Sequence, residues 1–328
     1  MQSLVTKQEH LELLSKMILI RESELVIGRG YFNRQFKTPI HLGIGQEAVA
    51  VGVAQNLTKS DFVLGNHRSH AHYLSKGASS LQLFLEILGK RDGCSGGHGG
   101  SMHISAPDHG VIGTMPIVAG TIPLAAGAAL TLKRRKNGHL AVAYFGDGAV
   151  EEGVFHEAMN LASIMKLPIL FVCENNIYSS HLHITERQPS AAITRFAQAN
   201  MINNATCDGN DLREVLKTSK ALIEKIRLSS QPAFLEAKTY RLYGHVGFDK
   251  DENIGLDRQH ELPKWEARDP IYKYSEFLIE GGFTNPQEIS SLRAKILETL
   301  EAEWLEALNS QPPKSSTLLE NVYFEGAK

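Results

Sequence analysis

Two polar turns, Gly146-Asp147-Gly148 and Asn175-Asn176, are separated in this chain by the 26 residues of 149–174. The interval holds an amphipathic helical pattern over 151–166, with Phe155, Met159, Ala162 and Met165 on one face, and then the apolar run 168–173. A second apolar run, 140–145, leads into the first turn. Strand, turn, helix and strand in this order predict two neighbouring parallel strands, because parallel pairing needs a crossover of that length. Both turns then leave the sheet at one edge, where parallel sheets bind their ligands. Further strands are expected at 61–64 and 233–240. Helices are expected at 121–136, closed by a basic run, and at 208–228, with Asp208 as N-cap. The N-terminal pattern 11–25 reads as a helix lying on the surface of the core. Beyond Asp269-Pro270 the pattern is helical to about Leu308. The expected class is α/β, a mostly parallel sheet flanked by helices, with helical N- and C-terminal extensions. Residues 1–310 are expected to form one domain, and 311–328 a Pro/Ser linker and a tail with an apolar patch at 318–324.

Composition narrows the function classes. Lys+Arg 34 against Asp+Glu 36 gives a net charge of -2, which excludes a generally basic nucleic-acid binder and a polybasic membrane anchor. The stretch 110–132 carries no charge, but its glycines, Pro116 and Pro123 make it a buried loop entering a small-residue helix rather than a membrane span. Three cysteines, none in a CxxC pair, suit neither a disulfide scaffold nor a cysteine zinc site, and fit a reducing compartment. The mixed charges of residues 1–12 read as no secretory signal, so a cytoplasmic location is expected.

A glycine turn at a strand's C-terminal end places Asp147 in the crevice, with a following helix N-terminus aimed at the same place as a phosphate site. The Asn176 amide oxygen and the Tyr178 carbonyl are positioned to join Asp147 around one ion. Such hard oxygen donors, with phosphate and water, suit Mg²⁺.

At this spacing the Gly146-Asp147-Gly148 and Asn175-Asn176 pair resembles the thiamine diphosphate-binding motif. The wider chain is similar to the alpha subunit of the decarboxylating component of 2-oxo acid dehydrogenase complexes, of the pyruvate and acetoin dehydrogenase types. The similarity runs from about residue 10 to 300. It includes Ile40-His41-Leu42, Gly45-Gln46-Glu47-Ala48, His67-Arg68-Ser69-His70, Gly99-Gly100-Ser101-Met102-His103, Ile122-Pro123-Leu124, Thr239-Tyr240-Arg241, Gly244-His245 and Arg268-Asp269-Pro270. The resemblance implies a thiamine diphosphate-binding fold. It implies Asp147, Asn176 and the Tyr178 carbonyl as Mg²⁺ ligands, with Gly146 in the turn and Gly148 and Ala149 offering N–H groups to the diphosphate. Arg68, beside His67, would pair with a terminal phosphate. Val118 would meet the aminopyrimidine and hold the cofactor bent. His245 would be an active-site histidine near diphosphate and substrate, and His70 another lining the entrance. The glutamate that activates the cofactor would come from a beta subunit in an α₂β₂ heterotetramer, and a lipoyl acyltransferase would take the acyl unit.

Some positions depart from the family pattern. His67 stands where pyruvate-type enzymes carry Tyr, and Val246-Gly247 follow His245 where mitochondrial pyruvate enzymes carry a phosphorylatable Ser. Pro116 and His98 are also unusual, and Asp249-Lys250-Asp251-Glu252 replaces a Ser-Asp-Pro pattern. The substrate therefore stays open among pyruvate, acetoin, branched-chain and other 2-oxo acids. Two other readings stand beside this one: a catalytically silent alpha-like subunit, and a nucleotide-binding α/β protein. The second lacks a GxGxxG turn.

Overall fold

The computed structural model describes residues 6–251 and 258–317; the apolar patch at 318–324 lies outside them. In chain order the strands are β1 (Phe62–Gly65), β2 (Val111–Thr114), β3 (Ala141–Gly146), β4 (Ile169–Asn175), β5 (Tyr178–Ser179), β6 (Leu182–His183), β7 (Asn203–Asp208) and β8 (Ala233–Lys238). Six form an all-parallel sheet in the order β2-β1-β3-β4-β8-β7, and β5 and β6 form a small antiparallel hairpin. The helices are α1 (Lys7–Phe32), α2 (Glu47–Ala54), α3 (His70–Ser75), α4 (Ser80–Ile87), α5 (Thr121–Arg135), α6 (Gly153–Ile164), α7 (Ile184–Arg187), α8 (Thr194–Ala199), α9 (Leu212–Ser229), α10 (Arg258–Glu266), α11 (Pro270–Glu280) and α12 (Pro286–Asn309).

The central strands are apolar on both faces because both are covered. Ala141, Ala143 and Phe145 of β3, with Ile169, Phe171 and Cys173 of β4, pack against Ile122, Ala125 and Ala129 of α5 and Phe155, Met159 and Ala162 of α6. The alternate residues Val142, Tyr144, Leu170 and Val172 meet Val49 and Val53 of α2 and Val215, Leu222 and Ile226 of α9. The small side chains of α5 let that helix lie close to the sheet. A third layer joins α1, α3, α4, α11 and α12 around Leu14, Met17, Tyr73, Phe84, Leu278, Leu300 and Trp304. In it α1 is sandwiched rather than superficial, starting from a Thr6–Glu9 capping box. Among the described residues no helix is long and apolar enough to cross a membrane.

Several expected boundaries shift. Asp208 closes β7, a strand the sequence pattern concealed among its polar residues, and the N-cap of α9 is Asp211, whose side chain accepts from the Arg213 N–H. The turn after β3 is a 3-10 helix over Asp147–Glu151. Consequently α6 begins only at Gly153, with Glu152 as N-cap and no acidic residue in its first turn. The uncharged stretch contains β2 before it enters α5. The C-terminal pattern is broken between α11 and α12.

Candidate functional site

Strand register builds the site. Gly146 of β3 pairs with Glu174 of β4, so the two polar turns leave the sheet side by side. They open into a cleft of about 910 Å³, mouth included. Its lining brings together Gly146, Asp147, Gly148, Ala149, Asn176 and Tyr178 with His67, Arg68, Val118 and His245. Ile177, between Asn176 and Tyr178, takes φ 62°, a left-handed conformation a β-branched residue reaches only when its surroundings hold it there.

Asp147 is buried, which raises its carboxyl above the ordinary value, while Arg187 beside it works in the opposite direction. The Arg187 guanidinium pairs with both Asp147 and Glu151. The Asn176 Nδ2 donates to Gln46 Oε1 over 2.9 Å, which leaves its Oδ1 as an acceptor. Carboxylate, amide oxygen and backbone carbonyl form a mixed hard-oxygen donor set, suited to Mg²⁺. Among the described residues there is no group of three or more His, Cys, Asp or Glu arranged to hold a metal.

Across the cleft the charge is positive. Arg68 is buried and its guanidinium is pushed down to about 9, by burial and then by the neighbouring Arg241. Its Nη1 donates to the Leu42 carbonyl over 2.9 Å; its Nη2 reaches the His245 carbonyl at 2.7 Å and His245 Nδ1 at 3.0 Å. An arginine only donates, so His245 Nδ1 accepts and the ring proton sits on Nε2. The ring centroids of His41, His67 and His245 lie 4.7, 5.3 and 5.8 Å apart. Burial and then Arg68 hold all three neutral, at about 4 for His41, about 2 for His67 and about 3 for His245. Among the described residues His41 Nδ1 has no hydrogen-bond partner. Surplus buried positive charge, neutral imidazoles and an orphaned ring nitrogen together fit a bound polyanion such as a diphosphate.

Two expectations need correcting. His70 does not line the entrance: it is wholly buried under α1, held between Glu24 and Ser101 and outside the cleft lining. Its position at the start of α3 turns the ring toward the third helical layer, away from the sheet edge. The turn that lines the cleft is the 3-10 helix itself, not the N-terminus of α6. Sequence reasoning assigned no role to His41, Gln46, Asn66, Glu174, Ser179 or Ser180, which also line the cleft. Gln46 follows Gly45, whose left-handed, closely approached backbone was the available signal. Nothing local marked Arg187.

The architecture is thus a parallel α/β protein with a cleft at one strand edge, lined by oxygen donors together with a buried arginine and neutral histidines. A model of the dehydrogenase E1 component family matches residues 15–316. The chain is 38% identical over 330 residues to the Arabidopsis thaliana chloroplastic pyruvate dehydrogenase E1 component subunit alpha-3, covering 98% of this chain and 76% of that one. It is 34% identical to the alpha subunit of acetoin:2,6-dichlorophenolindophenol oxidoreductase of Bacillus subtilis (strain 168), covering 97% and 95%. Against the Rickettsia prowazekii (strain Madrid E) pyruvate dehydrogenase E1 subunit alpha the identity is 29%, over 97% and 96%. The chain belongs to the dehydrogenase E1 component family, enzymes of thiamine diphosphate-dependent 2-oxo acid decarboxylation. The nucleotide-binding reading finds no counterpart in these matches.

Proposed function

We propose that this chain is the alpha subunit of a cytoplasmic E1 that binds thiamine diphosphate and Mg²⁺ in the cleft. With a beta subunit in an α₂β₂ heterotetramer it cleaves the carbon–carbon bond next to the ketone of a 2-oxo acid or an acetoin-like substrate, and passes the acyl unit to a lipoyl-type acceptor. The observation that carries this reading is the Gly146–Glu174 register, which sets Asp147 and Asn176 side by side opposite Arg68 and the neutral histidines.

Asp147, Asn176 Oδ1 and the Tyr178 carbonyl would hold the Mg²⁺, with Gln46 orienting the Asn176 amide. The ion would replace Arg187 as the counter-charge of Asp147. Arg68 and the Gly148 and Ala149 N–H groups would take the diphosphate. His245 holds its proton at Nε2, where it can donate to an anion without itself being charged. Val118, 51% exposed on a loop lining the cleft, would prop the organic part of the cofactor. Thiamine diphosphate, when bound, supplies the electron sink for the carbanion formed on decarboxylation. Ile117, 69% exposed, continues the apolar surface beside Val118, which supports a partner covering the cleft and contributing the missing glutamate.

Co-expression with the beta subunit identified from neighbouring genes tests the reading. The complex is expected to decarboxylate a member of a 2-oxo acid panel in the presence of thiamine diphosphate and Mg²⁺, and the chain alone to be inactive. Full turnover by the isolated chain would overturn the divided site. A complex inert toward every 2-oxo acid and acetoin would overturn the assignment.

A further inference from the structure

Ser101 Oγ lies 2.9 Å from His70 Nε2, and His70 Nδ1 lies 3.2 Å from Glu24 Oε1. The connectivity is that of a hydrolytic triad, but the three residues are 1%, 0% and 0% exposed, so no substrate reaches the serine. The chain of bonds instead continues toward the cleft. Both Glu24 oxygens accept the Gly43 N–H at 2.9 Å, and the carbonyl on the other side of that same peptide, Leu42 O, accepts from Arg68 Nη1 at 2.9 Å. One amide plane thus stands between a buried carboxylate and a buried guanidinium, its N–H turned to the anion and its C=O to the cation. Hydrogen bonds so aligned polarise one another in a low-dielectric interior. Among the described residues the partners of Glu24 are His70 and the Gly43 N–H, with no arginine or lysine, and a buried charge needs a compensating one. Arg68 supplies it at one remove: Glu24 is among the groups that favour the charged form of Arg68.

We propose that Glu24 is a positioning residue for Arg68, acting through the Leu42–Gly43 peptide, with His70 and Ser101 fixing the carboxylate. The inference rests on the reading above that Arg68 grips the cofactor's diphosphate. It gives His70 a role behind the site in place of one at its entrance. It also separates two effects of opposite sign. As a mere field, the Glu24 charge repels a diphosphate, so its loss would tighten binding. As a positioning group it holds the guanidinium in place, so its loss weakens binding.

The test is a double-mutant cycle on the co-purified αβ complex, with the affinity for Mg²⁺-thiamine diphosphate read by calorimetry. Glu24→Gln is expected to weaken binding about tenfold, within the usual range for groups sharing one hydrogen-bond network. In an Arg68→Met background the same substitution should cause no further loss. An equal loss in both backgrounds marks a general structural effect and overturns the proposal, as does unchanged or tighter binding by Glu24→Gln. Should Glu24→Gln not fold, Ser101→Ala decides in the same cycle. A loss of about threefold that vanishes with Arg68→Met supports the proposal, and no change overturns it. No binding at all by the wild-type complex overturns both this inference and the functional reading beneath it.

Discussion

The cluster of His41, His67 and His245 predicts an acid-sensitive native state. In the folded chain these imidazoles bind protons only near pH 4, 2 and 3, against an ordinary value of 6.5. Once unfolded, each takes up its proton at about the ordinary value, so below pH 6.5 the unfolded state binds more protons and stability falls with pH. The contribution is fully present above pH 6.5 and erodes as pH drops toward the folded values. At pH 5.0, roughly 1.5 pH units below the ordinary value, each ring forfeits about 2 kcal/mol, so three rings forfeit about 6. The rings are partly exposed to the cleft, and screening by solvent reduces the sum to roughly 3 kcal/mol.

Denaturant titrations at pH 7.5 and pH 5.0, on the wild type and on a variant carrying His41→Asn, His67→Asn and His245→Asn, measure this term. The wild type should lose about 3 kcal/mol more than the variant between the two pH values, because every other titrating group is common to both. Added diphosphate with Mg²⁺ should shrink the difference, since an anion beside the rings lets them charge in the folded state. Equal pH dependence in the two proteins would refute the reasoning, and would mean that the histidines are solvated rather than held neutral by burial and Arg68.

Two further outcomes follow from the site. Asp147→Ala should abolish Mg²⁺-dependent binding of thiamine diphosphate in a calorimetric titration. It should also destabilise the chain by about 1–3 kcal/mol, because Arg187 loses one of its two carboxylate partners and keeps Glu151; unchanged binding would remove Asp147 from the metal site. Gly45 has φ +100°, and a Cβ there would lie 2.6 Å from the Tyr240 carbonyl oxygen. Gly45→Ala should therefore cost about 1–3 kcal/mol in thermal or denaturant unfolding and disturb the neighbouring Gln46; a melt equal to wild type would show that the backbone relaxes freely.

Most of what the sequence revealed was local and periodic. The runs now seen as β3, β4 and β8 were legible because strands buried on both faces must be almost wholly apolar. The polar strand β7 was hidden, since as Asn203–Asp208 it pairs only along its β8 side and keeps little apolar signal. The glycine turn, the asparagine pair and the 26 residues between them are enough to bring both turns to the cleft at one sheet edge. Spacing of this kind needs no long-range information: one crossover fixes which ends of two strands come together.

Residues from distant segments were a different matter. That His41, His67 and His245 share one cleft depends on three loops meeting at the β3–β4 edge, and no periodicity encodes that meeting. The same holds for Arg187 on Asp147, 40 positions apart, and for the burial of His70 behind the site rather than at its mouth. The sequence by itself determined the fold class, the edge of the sheet where the cleft lies and the oxygen donors offered there, because strand period and crossover length are local properties of the chain. Only the tertiary structure decided which histidines face the cleft and how Arg68 and Asp147 are held, because burial and counter-charge arise from segments that meet only when the layers close.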